Sequence, residues 1–569
     1  MRPLFYPILV SLLAYVLFLS GLGAVGLVGP DEPRYADVAR GMFRSGDYIT
    51  PRLYGEPWFE KPPLYYWLAA SLFPLGVDEV TARLPSALFA ILFLGLWLQF
   101  ARRLFGQQTA VLSCVLLAST LGWIGFARAA AMDMLLATTQ GAALLLLALW
   151  FWEQKPVHLW GFYGLLGVAT LAKGLVAVAL AGMIALAYIA NFRQWRTIPK
   201  LLWNPAIAMF FAVALPWYLL CYWQNGYPFF EEFIVKHHWQ RFVSPSIGHP
   251  QPIWFYVPIL AAGVFPWTAL LLLPIFEVIR RGVQPILRDR QRAYLFYWVV
   301  LPFVFFSLAK NKLPNYLLPI LPPLSLWIAH IIVSNRVNNQ GSKAAGSSEL
   351  RASGVQPAAN GPSERFSPNA SPDSLLAKLS LWGIGFSAAL LLSVPVLATL
   401  LPESLASGLG RAIAEWDTAT LWSQIWKGPV PAPLWITLLL LVGLSLLLLW
   451  RRQVLEGVFL VLLGVALAVF AITTPLAPSI DRVASVRRVA QRIEALGIPP
   501  QELALYRVQR GQSYQLNFYL DRELPEWSPD GGPAAVSYVI AGQNEELPHA
   551  LPVVLFPGPK LRVWELPRP

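Results

Sequence analysis

The chain has 569 residues, of which 56% are apolar and only 13% charged, and its mean hydropathy is +0.53. Soluble domains carry roughly 25% charged residues, so these figures exclude a disordered chain, a collagen-like fibre and an ordinary soluble enzyme. The formal charge of +12 is spread over short loops, which reads as membrane topology and not as a nucleic-acid footprint. Cys114 and Cys221 both lie in apolar stretches, so no disulfide framework or cysteine zinc site follows.

A bilayer-spanning helix needs about 20 mostly apolar residues. The first such run is Leu4 to Val28. It is too long for a signal-peptide core and no small-x-small cleavage site closes it, so it reads as a retained anchor. Further runs lie at 84–100, 109–126, 132–152, 158–171, 174–191, 203–222, 254–275, 293–308, 314–333, 377–400, 432–450 and 455–474. The expectation is a mainly α, polytopic membrane protein of about 13 spans. Basic residues such as Arg102, Arg103, Lys155 and Arg280 to Arg292 put the alternate short loops and the N-terminus in the cytoplasm. An odd span count then leaves the C-terminus outside.

Three segments are not spans. Residues 29–83 form a long first external loop, rich in Trp, Tyr and Pro, within a membrane module of residues 1–334. Residues 335–376 are rich in Ser, Asn, Gly and Pro and read as a disordered cytoplasmic linker, because they have little to bury. It leads to further membrane helices at 377–474. Residues 475–569 lose the membrane hydropathy. Val486, Val489, Ile493 and Leu496 recur at helical spacing, and LALYRV, YQLNFYL, AVSYVIAG, PVVLFP and LRVWEL read as short strands. A small external α/β domain is expected there.

The chemistry-bearing residues concentrate near one face. Asp31 and Glu32 follow the first run directly, and Arg34 stands three residues after Asp31, within one helical turn. Adjacent carboxylates do not share a helix face, so the two should have different jobs. The same loop ends in FEKPPLYYW. Its two prolines stiffen the turn that carries Glu60 and Lys61, and a lysine there suits a phosphate as a point charge. Asp133 sits at the external start of an apolar run, where a carboxylate is costly and faces a cavity or a partner; Arg128 is the partner that sequence proximity suggests. Lys173 lies at a tight turn between two apolar segments. His237, His238, Arg241 and His249 fall in a loop without metal-ligand spacing, which reads as a substrate loop. Lys310, Lys312 and Tyr316 supply cationic and hydroxyl donors beside a proline-bent run. The chain carries no P-loop, dinucleotide fingerprint or nucleophile elbow. Carboxylates and cations on one membrane face suit transfer from a lipid-phosphate donor: the leaving phosphate needs positive charge, and an acceptor hydroxyl needs a base.

DEPRYADVARGM, FEKPPLYYW, RAAAMD, LAKG, HHWQRF and KLPNYLLP occur in that order. The set resembles the protein O-mannosyltransferase superfamily of polyprenyl-phosphate-sugar glycosyltransferases, and within it the bacterial branch of lipid A aminoarabinose transferases. The resemblance covers roughly residues 1–335. It implies the GT-C membrane fold and an inverting sugar transfer, on the external face of a bacterial inner membrane, from a donor of undecaprenyl-phosphate type to a lipid A-like glycolipid or a protein. By motif, Asp31, Glu60 and Asp133 take the family's catalytic acidic positions. Arg34, Lys61, Arg241 and Tyr316 take positions around the donor phosphate, and Lys173 is a further candidate. No cofactor is implied with assurance, and a divalent cation is left open. Membrane lipids are expected partners; nucleic acid is not.

Two other classes compete. A lipid or polysaccharide transporter would carry internal repeats and broken helices at the membrane midplane, whereas here the acidic residues cluster at one face and no repeat is visible. A non-catalytic lipid-binding scaffold would leave the carboxylates unexplained.

Overall fold

A computed structural model describes residues 2–240, 251–335, 378–387, 389, 432–451, 453–529, 536–542, 545, 547, 551–554 and 561–566. The expected linker, apart from Asn335, and Arg241 lie outside the described residues. The described chain is mainly helical, and its apolar helices make it an integral membrane protein.

Helix α1 (Arg2–Ala14) continues in a wider turn through Leu19 and then stops, well short of the Val28 expected from hydropathy. The polar partners waiting for the backbone beyond it explain the early end. Arg83 donates to the carbonyls of Leu22, Val25 and Gly26 at 2.6–2.8 Å. Arg487 donates to those of Gly23 and Ala24 at 2.9 and 3.2 Å. The N–H groups of Gly26, Leu27 and Val28 reach Asp481, Tyr519 and Glu32 at 2.7–2.8 Å. An extended segment can leave the helix only when its backbone groups are satisfied elsewhere. At Gly26 a Cβ would stand 2.1 Å from the Ser485 hydroxyl, so a larger residue would force the two segments apart.

The loop that follows is folded. Helix α2 (Asp31–Ser45) ends at Gly46, whose positive φ closes the last turn. A short hairpin pairs β1 (Arg52–Leu53) with β2 (Glu56–Pro57), and Pro62 and Pro63 lead into α3 (Leu64–Leu72). A reciprocal Asp78–Thr81 cap opens α4 (Glu79–Phe105).

Helices α5 (Gln107–Ala118) and α6 (Leu121–Ala127) meet at 63°. Ser119 and Thr120 break the run: Ser119 takes the Trp267 indole N–H at 2.9 Å, and Leu121 donates its N–H to Phe265 O at 2.8 Å. Helix α7 (Asp133–Glu153) is buried along nearly its whole length and forms the axis of the bundle. It packs on α4 and on α8 (Pro156–Lys173), and α9 (Val176–Asn191) follows. Among the described residues, six helices are long and apolar enough to cross a bilayer, or seven if α5 and α6 count as one. Several other expected runs are shorter or broken. The run 254–275, for example, divides into Tyr256–Gly263, Trp267–Leu271 and the start of Leu272–Arg281 around Gly263 and Pro266.

Past the helices Ala432–Trp450 and Val454–Thr473, the chain builds a four-stranded sheet in the order β3-β4-β6-β5. Strand β3 is Leu503–Tyr506, β4 Tyr538–Gly542, β5 Leu551–Val554 and β6 Leu561–Glu565. The amphipathic segment forms the helix Arg487–Ala495 as expected, with Ile493 buried beneath it. YQLNFYL is not a strand; it lies in the helix Arg510–Tyr519. Strands β3 and β4 are parallel, and a parallel pair needs a crossover element, here supplied by that helix. Its apolar residues face two cores. Leu516 and Leu520 pack on the sheet, whereas Phe518 packs on the membrane module. A segment apolar on both sides gives no clear period.

Candidate active site

Helix α2 presents its first turn to the turn that holds Glu60 and Lys61. Arg34 joins them: its guanidinium is 2.6 Å from Asp31 Oδ1 and 3.1 Å from Glu60 Oε2. Lys61 Nζ stands 3.0 Å from Glu60 Oε1. The Arg34, Glu60 and Lys61 side chains are largely buried, whereas that of Asp31 is 48% exposed. Asp31 is therefore the member of the group most open to a molecule arriving from solution. Arg34 also lies 5.0, 5.4 and 5.8 Å from the ring centres of Tyr35, Trp58 and Tyr514, an aromatic cage that favours a cation. Burial alone would lower its pKa, but Tyr35, Glu60 and Asp31 outweigh burial and hold it above the ordinary arginine value. Burial, followed by Asp31 and Glu60, pushes the Tyr35 phenol well up. Three buried polar atoms in and beside this cage, Arg34 Nε, Trp58 Nε1 and the Tyr66 hydroxyl, have no hydrogen-bond partner among the described residues. Buried donors rarely stay unpaired without a reason.

Glu32 does a different job from its neighbour. It forms a paired contact with the Arg83 guanidinium at 3.0 and 2.6 Å, and accepts the N–H of Val28 at 2.8 Å and of Ala130 at 2.7 Å. That knot ties the chain after α1, the start of α2, the start of α4 and the turn before α7.

A second group forms where α7 begins and α8 ends. Asp133, the first residue of α7, pairs with Lys173, the last of α8. The Lys173 ammonium lies 5.0 Å from the Tyr316 ring centre. Arg128, the partner that sequence proximity suggested, instead donates to Leu17 O and Ser20 O at 3.3 and 2.5 Å. Across the sequence, Arg34 is gathered with Lys61 and Tyr316 with Lys173, while Arg241 and His249 lie outside the described residues. Lys312 is buried and donates to Ala309 O and, at 2.9 Å, to Gln251 O. With exposed Lys310 it lines a cavity of about 280 Å³. Among the described residues no three His, Cys, Asp or Glu side chains gather as metal ligands.

Asp133 begins α7 and Glu153 ends it. Glu153 pairs with Arg103, Lys155 and His158. The candidate residues and this basic loop cluster thus occupy opposite ends of the central helix.

Sequence reasoning missed Arg83, Trp58, Tyr514 and the aromatic cage. Arg83 carried the one available signal, a charged residue at the head of an apolar run.

Residues 60–220 match the family model described as dolichyl-phosphate-mannose-protein mannosyltransferase. The undecaprenyl phosphate-alpha-4-amino-4-deoxy-L-arabinose arabinosyl transferase of Pseudomonas paraeruginosa is 34% identical over 362 residues, covering 60% of this chain and 62% of that protein. The enzyme of the same name from Edwardsiella ictaluri is 32% identical over 326 residues, 55% of this chain and 57% of its own. The alignments thus take in less than two thirds of the length of these relatives. The crystal structure of ArnT from Cupriavidus metallidurans bound to undecaprenyl phosphate aligns with a TM-score of 0.72 at 24% identity, over 98% of this chain and 97% of that one. The chain therefore has the GT-C membrane fold, and the resemblance read from its motifs holds in sequence and in architecture.

Proposed function

We propose that this chain, ArnT-like in sequence and GT-C in fold, is a membrane glycosyltransferase that moves a sugar from a polyprenyl-phosphate donor, of undecaprenyl-phosphate type, to a lipid A-like glycolipid or a protein with inversion. The observation that carries the reading is the Arg34 network: one caged guanidinium joins a half-open carboxylate, Asp31, to the Glu60–Lys61 pair, with unpartnered donors beside it. The Asp133–Lys173 pair lies at the Asp133 end of α7. A transporter would place its charges near the midplane.

Among the described residues the carboxylates Asp31 and Glu60 pair with Arg34 and Lys61, and Asp133 pairs with Lys173. An arriving donor phosphate competes with Glu60 for Lys61 and with Asp133 for Lys173. Tyr316 and Arg241 complete the phosphate side of the proposed site. The acceptor oxygen attacks the anomeric carbon as the bond from that carbon to the phosphate oxygen breaks. The polyprenyl phosphate leaves with the bonding pair, and the cations stabilise its charge. A hydroxyl acceptor gives its proton to Asp31. A phosphate acceptor needs no deprotonation, and Asp31 then orients the acceptor or the sugar.

The site faces the external side of a bacterial inner membrane, with the N-terminus cytoplasmic and the tail at 475–569 external. In this reading residues 1–334 form the catalytic module, 335–376 a cytoplasmic linker and 377–474 further spans. The test is to incubate the purified protein in lipid nanodiscs with undecaprenyl-phosphate-linked aminoarabinose and lipid A, then weigh the lipid by mass spectrometry. A sugar adduct is expected. No adduct on lipid A, and none on proteins of cells that express the chain, would refute the reading.

A further inference from the structure

The helix Arg510–Tyr519 belongs to the C-terminal segment, yet its first turn stands at the rim of the Arg34 network. A Cβ on Gly511 would lie 3.3 Å from Gly29 C and 3.4 Å from Pro30 N. The backbone of this turn thus rests on the two residues that precede Asp31. From it Tyr514 reaches Arg34, whose guanidinium carbon is 5.8 Å from the ring centre. The same ring holds a second cation: Arg510 lies 5.5 Å from its centre and donates Nε–H to the Tyr514 hydroxyl at 3.3 Å. Tyr514 therefore takes one guanidinium from the membrane module and one from its own helix.

The two arginines differ in what neutralises them. Arg34 has two carboxylates. Arg510 is exposed, and among the described residues no carboxylate pairs with it. Its neighbours behave otherwise: Arg507 pairs with Glu545 at 3.3 Å, and Arg44 pairs with Asp521 at 2.6 Å. An arginine held by a ring and a hydroxyl has little freedom left to lose on binding, and its remaining N–H groups form a planar fork suited to an oxyanion.

We propose that Arg510, oriented by Tyr514, is a recognition residue for a phosphate group on the acceptor. Tyr514 is a positioning residue for Arg510. This inference rests on the glycosyltransferase reading, because it assigns the open side of Asp31 to the acceptor. It gives the C-terminal segment a part in choosing the acceptor.

The experiment measures binding of lipid A, and of the same lipid with its phosphates removed, to the full-length protein in nanodiscs of neutral phospholipid. The native protein is expected to bind the phosphorylated lipid at least tenfold more tightly. Arg510→Ala should erase most of that preference, Arg510→Lys should restore part of it, and Tyr514→Leu should weaken it while Tyr514→Phe keeps more. Affinity for undecaprenyl phosphate should stay unchanged in Arg510→Ala. Equal binding of the two lipids by the native protein, or a preference that survives Arg510→Ala, overturns the proposal. So does a loss of undecaprenyl phosphate binding instead, which would place Arg510 on the donor side. Binding is read without turnover, so an Arg510-dependent phosphate preference in a protein that transfers no sugar would sink the transferase reading and leave Arg510 a phosphate-binding residue with no acceptor role, whereas transfer without that preference would sink this assignment alone.

Discussion

Replacing Glu32 by Gln is predicted to damage the fold, although the change is isosteric and Asp31 stands beside it. Both Glu32 oxygens accept two hydrogen bonds. Oε1 takes Arg83 Nε and the Ala130 N–H, and Oε2 takes Arg83 Nη2 and the Val28 N–H. All four groups are donors. A glutamine has one acceptor oxygen and one NH2, so either orientation turns its NH2 against two N–H groups. The change also strips a buried guanidinium of its counter-ion, since both side chains are less than 10% exposed. Breaking a buried pair from one side costs about 3–5 kcal/mol. Asp31→Asn is the control. Its side chain is 48% exposed, and Arg34 keeps Glu60, so the stability cost should stay within about 1 kcal/mol. Thermal unfolding in one detergent, followed by tryptophan fluorescence, compares the two. A large drop in midpoint for Glu32→Gln and a small one for Asp31→Asn is expected. Equal midpoints would refute the idea that Glu32 is the knot of this loop.

Lys61→Ala should weaken binding of undecaprenyl phosphate about tenfold or more, since a charge-assisted hydrogen bond contributes roughly 1.5–3 kcal/mol; titration calorimetry in nanodiscs checks it. Asp133→Asn and Lys173→Met should each lower the thermal midpoint by leaving a buried charge alone, whereas the double variant should be less unstable than the two single effects summed. The hold of the C-terminal segment on α2 should weaken in acid. Burial would raise the Asp521 pKa, but Arg44 and Arg40 outweigh it and hold the carboxyl below its ordinary range. Such a group stabilises above its unfolded value of about 3.9 and loses that effect as pH falls through the folded value. Hydrogen-exchange protection of residues 510–521, taken relative to the intrinsic rate at each pH, should therefore fall below about pH 4, and Asp521→Asn should show the lower protection already at neutral pH.

The parts of the site that were legible in the sequence are those whose members are neighbours. Asp31 and Arg34 lie one turn apart, and Glu60 and Lys61 are adjacent, so motif and geometry agree. Long-range partners were not legible. Glu32 meets Arg83 across 51 residues, and Arg40 meets the Phe518 carbonyl across 478; nothing local to either residue encodes the match. The Arg128 partner failed for the same reason, because Lys173 reaches Asp133 from the far end of α8. Hydropathy also hid where α1 ends. The segment after Leu19 is as apolar as the helix before it, and what stops the helix is an outside supply of donors and acceptors from Arg83, Arg487, Asp481 and Tyr519. In the same way, YQLNFYL has strand-like residues, and the parallel pairing of β3 with β4 makes it a helix.

The most direct measurement is single-turnover sugar transfer by the Asp31→Asn protein, with donor affinity determined on the same preparation. General-base loss costs about 10²–10⁴ in rate. With a hydroxyl acceptor the rate is predicted to fall by that amount while donor affinity stays within a few-fold. With a phosphate acceptor the loss is predicted to be smaller. Near-normal turnover with a hydroxyl acceptor would contradict the account and move the base to Glu60 or Asp133.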